Sequence, residues 1–398
     1  MRLIIVTLFI VILVFNASAQ KPQQILDWVN SATALNHNFY YELPFEYKQG
    51  EIIIKAKIGD STYNYIFDTG GYNTVTDNIA ERNNLKILTK QQTGSSNLKK
   101  TTVNIVKVDD IQIGEVVFKD LAALQLNLNN LPIISCLSNG GLIGRSIIKE
   151  YIWQIDYPRR KIIITDQFDK LPNMQQAVAI PIELDKRLTP FIRIVVNGQE
   201  ERCMFDLGSS QILSFPKKQG EKYLKNEKII EIEGAGSEGV AGTLTEVVKV
   251  VNIKTLGIGA VQLNNVATTV QTQPDILIGS PIIKNYIVTL NYARKEIYLT
   301  QLSNPELKEG LESFGFTVRY QDGNAKVFAI YKSLPADKAG LQIGDTILSI
   351  DETPLQYNDF CDCLFTSPRL LENKNEVTLV VLKKGKEETI KLKKEKAL

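Results

Sequence analysis

The sequence predicts a mainly β protein: one sheet-rich unit present twice in tandem, followed by a smaller α+β domain. Three observations carry this prediction. Alternating apolar segments such as "EIIIKAKIG" (51–59) and "PFIRIVVNG" (190–198) have the period of half-buried hairpin strands. The segment "YIFDTGGYNTVT" around Asp68 returns as "CMFDLGSSQILS" around Asp206, and "GLIGRSIIKEYIWQIDYPRRKIIIT" from Gly141 returns as "ILIGSPIIKNYIVTLNYARKEIYLT" from Ile276. After "TQLSNPELKEG" (300–310) the repeat stops and a different pattern begins.

The two units have the same element order. Hairpin strands lead into the aspartate, and a polar, glycine-bearing loop follows, "TGSSNLKK" near Gly94 or "EGAGSEGVAG" near Gly236. A second hairpin uses "IQIGEVVFKDL" or "LGIGAVQLNNV". The aspartate-to-glycine spacings are 76 residues (68 to 144) and 73 residues (206 to 279), and each glycine precedes a predicted short helix. Ser280 suits the N-cap of the second such helix and Pro281 its first turn. A last hairpin turns near Asp156–Arg160 or Asn291–Lys295.

Composition excludes several classes. The 398 residues are 44% hydrophobic and 23% charged, enough for a core and for two or three domains. The 46 basic and 44 acidic residues leave a net charge of +2, too balanced for nucleic acid as the main partner. The Lys-rich end "KKGKEETIKLKKEKAL" reads as the solvated face of a last strand. Met1 and Arg2, the apolar run Leu3–Phe15 and the small residues Ala17 and Ala19 read as a signal peptide over 1–19. The expected location is therefore exported, periplasmic or extracellular, with an uncleaved anchor as the alternative and no transmembrane span after signal removal. Cys136, Cys203, Cys361 and Cys363 are read as buried or free thiols, a Cys136–Cys203 bridge being the alternative.

The single histidine, His37, sits in an N-terminal lead-in, so histidine-dependent triads and multi-histidine zinc sites are not indicated. "GAGSEG" (234–239) lacks the lysine and helix of a phosphate loop. Any catalysis falls to carboxylates or to a cofactor.

"FDTGG" followed about 75 residues later by "GLIGRSII" resembles the retropepsin-like aspartic proteases, and the repeat supplies a second lobe within one chain. The resemblance implies a two-lobed aspartic-protease β fold over roughly 42–302, with a monomer sufficient for a complete site. It implies Asp68 and Asp206 as the catalytic pair, meeting at the floor of a cleft, with no cofactor and no metal. Two carboxylates so placed hold a single proton over a wide pH range. The ionised one takes a proton from water, and the other stabilises the oxyanion. Thr69, Gly70, Gly208 and Ser209 are the implied supporting residues, and Gly94 and Gly236 mark two flaps.

The second triplet departs from the pattern. Leu207 stands where the family usually has threonine or serine, so only Thr69 is left to brace the two loops. Ser209 is expected to hydrogen-bond Asp206, with no such help to Asp68 from Gly71, which makes Asp206 the base and Asp68 the proton carrier.

The segment Glu312–Leu355 resembles a PDZ domain of the kind attached to bacterial proteases, its most specific part being "PADKAGLQIGD" (335–345). The resemblance implies a loop, Ser313, Phe314, Gly315 and Phe316, whose amides receive a peptide C-terminal carboxylate, with the peptide added as a strand beside Phe316–Arg319. The resulting division is a signal peptide 1–19, a lead-in 20–41, lobes 42–168 and 169–302, and a PDZ-like α+β domain 303–398. The expected function is an aspartic endopeptidase whose partners are a peptide or protein substrate and a C-terminal peptide ligand. The alternative is a catalytically silent peptide-binding protein using the same cleft and groove.

Overall fold

The computed structural model of the chain describes residues 22–398; the segment read as a signal peptide, residues 1–19, lies outside the described residues. Strands dominate, with short helices between them. No helix among the described residues is long and apolar enough to cross a membrane.

In the first lobe the strands Glu51–Ile58 and Ser61–Phe67 form a hairpin that delivers Asp68. The strand Gly141–Ile143 lies parallel to the second of these, with Leu142 opposite Ile66 and Ile143 opposite Phe67. In the second lobe Ile276–Gly279 lies parallel to Gln199–Asp206, with Ile278 opposite Phe205 and Gly279 opposite Asp206. A parallel neighbour needs a long crossover, which is why the Leu-Ile-Gly motif recurs some 75 residues after each aspartate. The amide of Arg145 then bonds Gly71 O at 3.1 Å, and at the equivalent place the amide of Ser280 bonds Ser209 O at 2.8 Å.

The repeat also builds the junction between the lobes. Strands Ile152–Asp156 and Tyr286–Asn291 occupy equivalent positions in the two units and pair antiparallel, Trp153 with Leu290 and Ile155 with Val288. The equivalent residues Gln154 and Thr289 face one another, Nε2 donating to Oγ1 at 3.0 Å. This is the self-complementary contact expected of two copies related by a two-fold axis. Each copy adds its hairpin partner, Lys161–Thr165 or Glu296–Gln301, to the same sheet. A single apolar core runs through both lobes, from Phe67 and Trp153 to Phe205 and Leu290.

The lead-in is ordered in part. Helix Pro22–Val29 packs on the strand Val116–Leu126, and Thr33–Ala34 pairs with it, while His37 is exposed.

The C-terminal domain has its own apolar core. Its short helix Pro335–Lys338 is followed by Gly340 at φ 77° and a turn through Gly344 into strand Thr346–Ile350, the order read from the sequence. Its strand Phe316–Gln321 pairs with Asn324–Tyr331, and helix Phe360–Leu371 runs beside the former. The domain is not a separate bead. Asn324–Tyr331 pairs with the second-lobe strand Ile229–Glu233, so their sheets are continuous.

Two expectations are corrected. Residues Ser280–Lys284 form a 3-10 helix whose N-cap is Gly279, and Ser280 is its first residue. The Ser280 hydroxyl bonds Gly50 O and Tyr47 Oη and leaves the helix amides alone. The cysteines are not all free: Cys136 and Cys361 form a disulfide, while Cys203 and Cys363 are buried thiols. Neither does Cys203 pair with Cys136, because it faces the fully buried core of the second lobe. The bridge joins residues 225 apart, which only the docking of helix Phe360–Leu371 on the first lobe brings together. That docking sets Phe365 against Ile53, Ile66, Leu137 and Leu142.

Candidate active site

Asp68 and Asp206 end their hairpins side by side, each carboxyl set against the glycine of the opposite loop. The amides of Gly70 and Gly71 donate to Asp68 Oδ1 at 2.8 and 2.7 Å, and the amide of Gly208 donates to Asp206 Oδ1 at 3.0 Å. Glycine is required by space on both sides. A Cβ on Gly70 would lie 2.5 Å from Asp206 Cγ, and one on Gly208 2.5 Å from Asp68 Cγ. Each loop therefore leaves room for the opposite carboxylate.

Thr69 makes both bonds of a one-sided brace. Its buried hydroxyl donates to Phe205 O at 2.7 Å and accepts from the amide of Leu207 at 2.8 Å. Leu207 is fully buried and packs in the common core.

Two expected contacts fall differently. Ser209 Oγ accepts from the Gln211 amide at 3.5 Å and does not bond Asp206, whereas the Gly71 amide bonds Asp68 directly. The reason is backbone direction: the first loop aims two successive amides at its carboxylate, while Ser209 N–H is spent on Asp206 O at 3.1 Å.

This asymmetry separates the two acids. Burial raises both. For Asp68 the hydrogen bond from Asp206, the charge of Arg145 and the two glycine amides pull the other way. For Asp206 the neighbouring Asp68 charge and the bond donated to Asp68 add to burial, leaving it well above an ordinary aspartate. Of the two acids, Asp206 is therefore the one pushed further up.

Sequence reasoning missed three groups around this pair. Arg145 is buried, its guanidinium bonded to Thr189 Oγ1 and stacked 4.3 Å from the Tyr72 ring. The signal was present, since the first "GLIGR" carries a charge where the second copy has Ser280. Glu51 has an oxygen, Oε2, that is shielded and unpartnered, and burial followed by the charges of Asp68 and Asp206 raises its pKa well above the usual carboxylate range. The Tyr292 hydroxyl is likewise buried without a partner and feels both aspartates.

The two flap candidates meet at their tips. The first is the hairpin of Ile87–Gly94 and Lys100–Ile113, and the second pairs Gly236–Gly239 with Gly242–Thr245. Asn97 Nδ2 donates to Gly242 O at 2.7 Å, and Gly239 lies so close to Ser95 that a Cβ would fall 2.2 Å from its hydroxyl. Glu238 on the second hairpin accepts from the amides of Ile134 and Ile133 at 2.8 and 3.2 Å. A cavity of about 570 Å³ lies between the first hairpin and the second tip, lined by Lys90, Thr102, Asn104, Gln125, Val240 and Ala241.

In the C-terminal domain, Phe314 and Phe316 are buried and Gly315 turns the loop at φ 89°. The Gly315 amide bonds Ser313 Oγ at 3.0 Å, and its carbonyl accepts from Tyr331 N at 2.9 Å.

Residues 54–147 match the family model described as aspartyl protease, and residues 313–393 match a PDZ domain. The chain carries an aspartyl protease domain and a C-terminal PDZ domain. A comparison with curated proteins finds no match to the chain. The aspartyl protease match covers the first lobe and stops at Ile147, so the second lobe is tied to it by the repeat and by the equivalent strand pairing. In the PDZ domain, the helix Phe360–Leu371 packs beside the strand Phe316–Gln321, with Arg319 5.5 Å from the Phe360 ring.

Proposed function

We propose that the chain is an exported aspartic endopeptidase whose active site is the Asp68–Asp206 pair and whose PDZ domain binds peptide or protein C-termini. The observation that carries this reading is the juxtaposition of the two carboxyls at the ends of equivalent strands, each packed against the other loop's glycine. Asp68, better served by amide donors, is the ionised base, which reverses the assignment expected from Ser209. It removes a proton from a water held between the carboxyls as the water oxygen bonds the peptide carbonyl carbon. Asp206 gives its proton to the carbonyl oxygen, forming a neutral gem-diol. The Asp68 proton then passes to the leaving nitrogen, Asp206 recovers a proton from one hydroxyl, and the carbon–nitrogen bond breaks. The apolar start of residues 1–19 supports export.

The test is cleavage of a denatured protein by the mature chain beside Asp68→Asn and Asp206→Asn variants. Cleavage confined to the unmodified chain supports the reading, and equal activity in all three removes it. A catalytically silent peptide-binding protein is favoured by one observation, Leu207 in place of the second brace hydroxyl. Peptide binding without cleavage from acidic to neutral pH would select it.

A further inference from the structure

The PDZ groove has its two walls fastened to different lobes. The groove strand Phe316–Gln321 ends in a two-residue turn, Asp322–Gly323, with Gln321 opposite Asn324. In such a hairpin the residue before the closing pair turns its amide outward. Here that residue is Tyr320, and the groove helix Phe360–Leu371 packs along the same strand. Cys363 is fully buried and bonded to Ser367, and Arg319 reaches the helix at 5.5 Å from the Phe360 ring. The helix lies against this strand on the side that an added peptide strand would use, and a peptide inserted between them widens that gap.

Separating them acts on the lobes. The helix wall belongs to the first lobe through the Cys136–Cys361 disulfide, the bond from Gln49 Nε2 to Leu364 O at 2.9 Å, and Phe365 seated among Ile53, Ile66 and Leu137. The strand wall belongs to the second lobe, because its partner strand pairs Tyr331 with Ile232 and Ile330 with Glu233, and Lys332 N bonds Glu231 O at 2.8 Å. Those second-lobe residues lead directly through Gly234 into the hairpin Gly236–Thr245. That hairpin is held to the first lobe by Glu238, on the amides of the helix Pro132–Leu137 that carries Cys136. The circuit is closed: hairpin, first-lobe helix, disulfide, groove helix, groove strand, and back to the hairpin.

We propose that an extended peptide with a free C-terminal carboxylate, on entering the PDZ groove, draws the second-lobe hairpin away from the first lobe and so opens the cleft. This deepens the protease reading and rests on it for its consequence, cleavage switched on by a C-terminal peptide. The coupling itself does not depend on catalysis. A peptide that widens the groove moves the groove helix with the first lobe and the groove strand with the hairpin, and the contacts broken are those of Glu238 with Ile133 and Ile134 and of Asn97 with Gly242. By linkage, an occupant of the cleft that spreads the lobes strengthens peptide binding in the groove by the same factor.

The experiment uses the full mature chain carrying Asp68→Asn, so that peptides survive. The probes are a pool of hexapeptides ending in an apolar residue with a free carboxylate, and the same pool amidated. Binding is followed by fluorescence anisotropy and backbone hydrogen exchange by mass spectrometry. The expected result is binding of the free-acid pool alone, with exchange in 236–245 rising at least several-fold. The rise should disappear in the Cys136→Ser/Cys361→Ser double variant, and on mild reduction of the otherwise unaltered chain, while the peptides still bind. Binding with no change in the hairpin, the same change with and without the disulfide, or no binding of the pool by any form would each overturn the proposal. None of these outcomes bears on whether the unmodified chain cleaves, so the protease reading stands or falls separately.

Discussion

The hydroxyl of Thr69 reaches across the lobe boundary to the backbone of Leu207, accepting its amide proton at 2.8 Å while donating to Phe205 O at 2.7 Å, and Leu207 has no polar side chain with which to answer. One side chain therefore satisfies two buried backbone groups of the other lobe. Thr69→Val keeps the shape and removes both bonds, leaving an amide and a carbonyl unpartnered at about 1–3 kcal/mol each. A fall of about 2 kcal/mol or more in unfolding free energy is expected by denaturant titration, with proteolysis reduced as well. Thr69→Ser should retain most of both. Equal stability of the valine and serine variants would show that the brace contributes nothing.

Gly208 lies against Asp68 as closely as any backbone could. A methyl group there would sit 2.5 Å from the carboxyl carbon and force the loops apart. Since displacements near 1 Å in a reacting pair cost about a hundredfold in rate, Gly208→Ala should lower kcat at least about that much with far-ultraviolet circular dichroism unchanged. Gly198→Ala is the contrasting glycine change, at a hairpin turn where a Cβ meets no atom within 4 Å but the backbone has φ 82°, so only stability should respond.

Burial raises Asp68, Asp206 and Glu51 above their ordinary carboxylate values. An acid raised on folding favours the folded state in its protonated form. Its contribution is complete below the unfolded value, roughly pH 4, and is lost as pH rises through the folded value. These three acids therefore favour the folded state less as the pH is raised from acidic toward neutral, opposite in sign to carboxyls held low by lysine partners such as Asp337 and Asp351. Glu51→Gln should lift the midpoint at neutral pH and leave it nearly unchanged below about pH 4. A midpoint difference that does not vary with pH would refute this account of Glu51.

The disulfide gives a direct chemical readout. Peptide mapping without reduction should recover Cys136 linked to Cys361, with Cys203 and Cys363 alkylated only after unfolding, because both thiols are buried. Closing a loop of this length restricts the unfolded chain by roughly 5–6 kcal/mol in the chain-entropy view. Cys136→Ser should accordingly lower the unfolding midpoint far more than an exposed Ser→Ala change. Recovery of a Cys136–Cys203 peptide would contradict the docking of the groove helix on the first lobe.

Much of this protein was determined by the sequence alone, because its main organising device is local and repeated. Each aspartate, its glycine and the Leu-Ile-Gly motif recur in order, so the two equivalent lobes were legible, whereas the parallel pairing of that motif beside each aspartate came from the structure. The lone missing hydroxyl at Leu207 was also legible, since a repeat exposes a departure at an equivalent position. What only the tertiary structure decided depends on groups distant in sequence. Amide direction in two short loops put two donors on Asp68 and one on Asp206. Packing placed Arg145 and Glu51 near the pair, and joined Cys136 to a cysteine 225 residues away. Side-chain periodicity reports which face of a strand is buried. It carries no information on which distant charge or thiol the buried face will meet, and that was settled by how the lobes and the PDZ domain pack on one another.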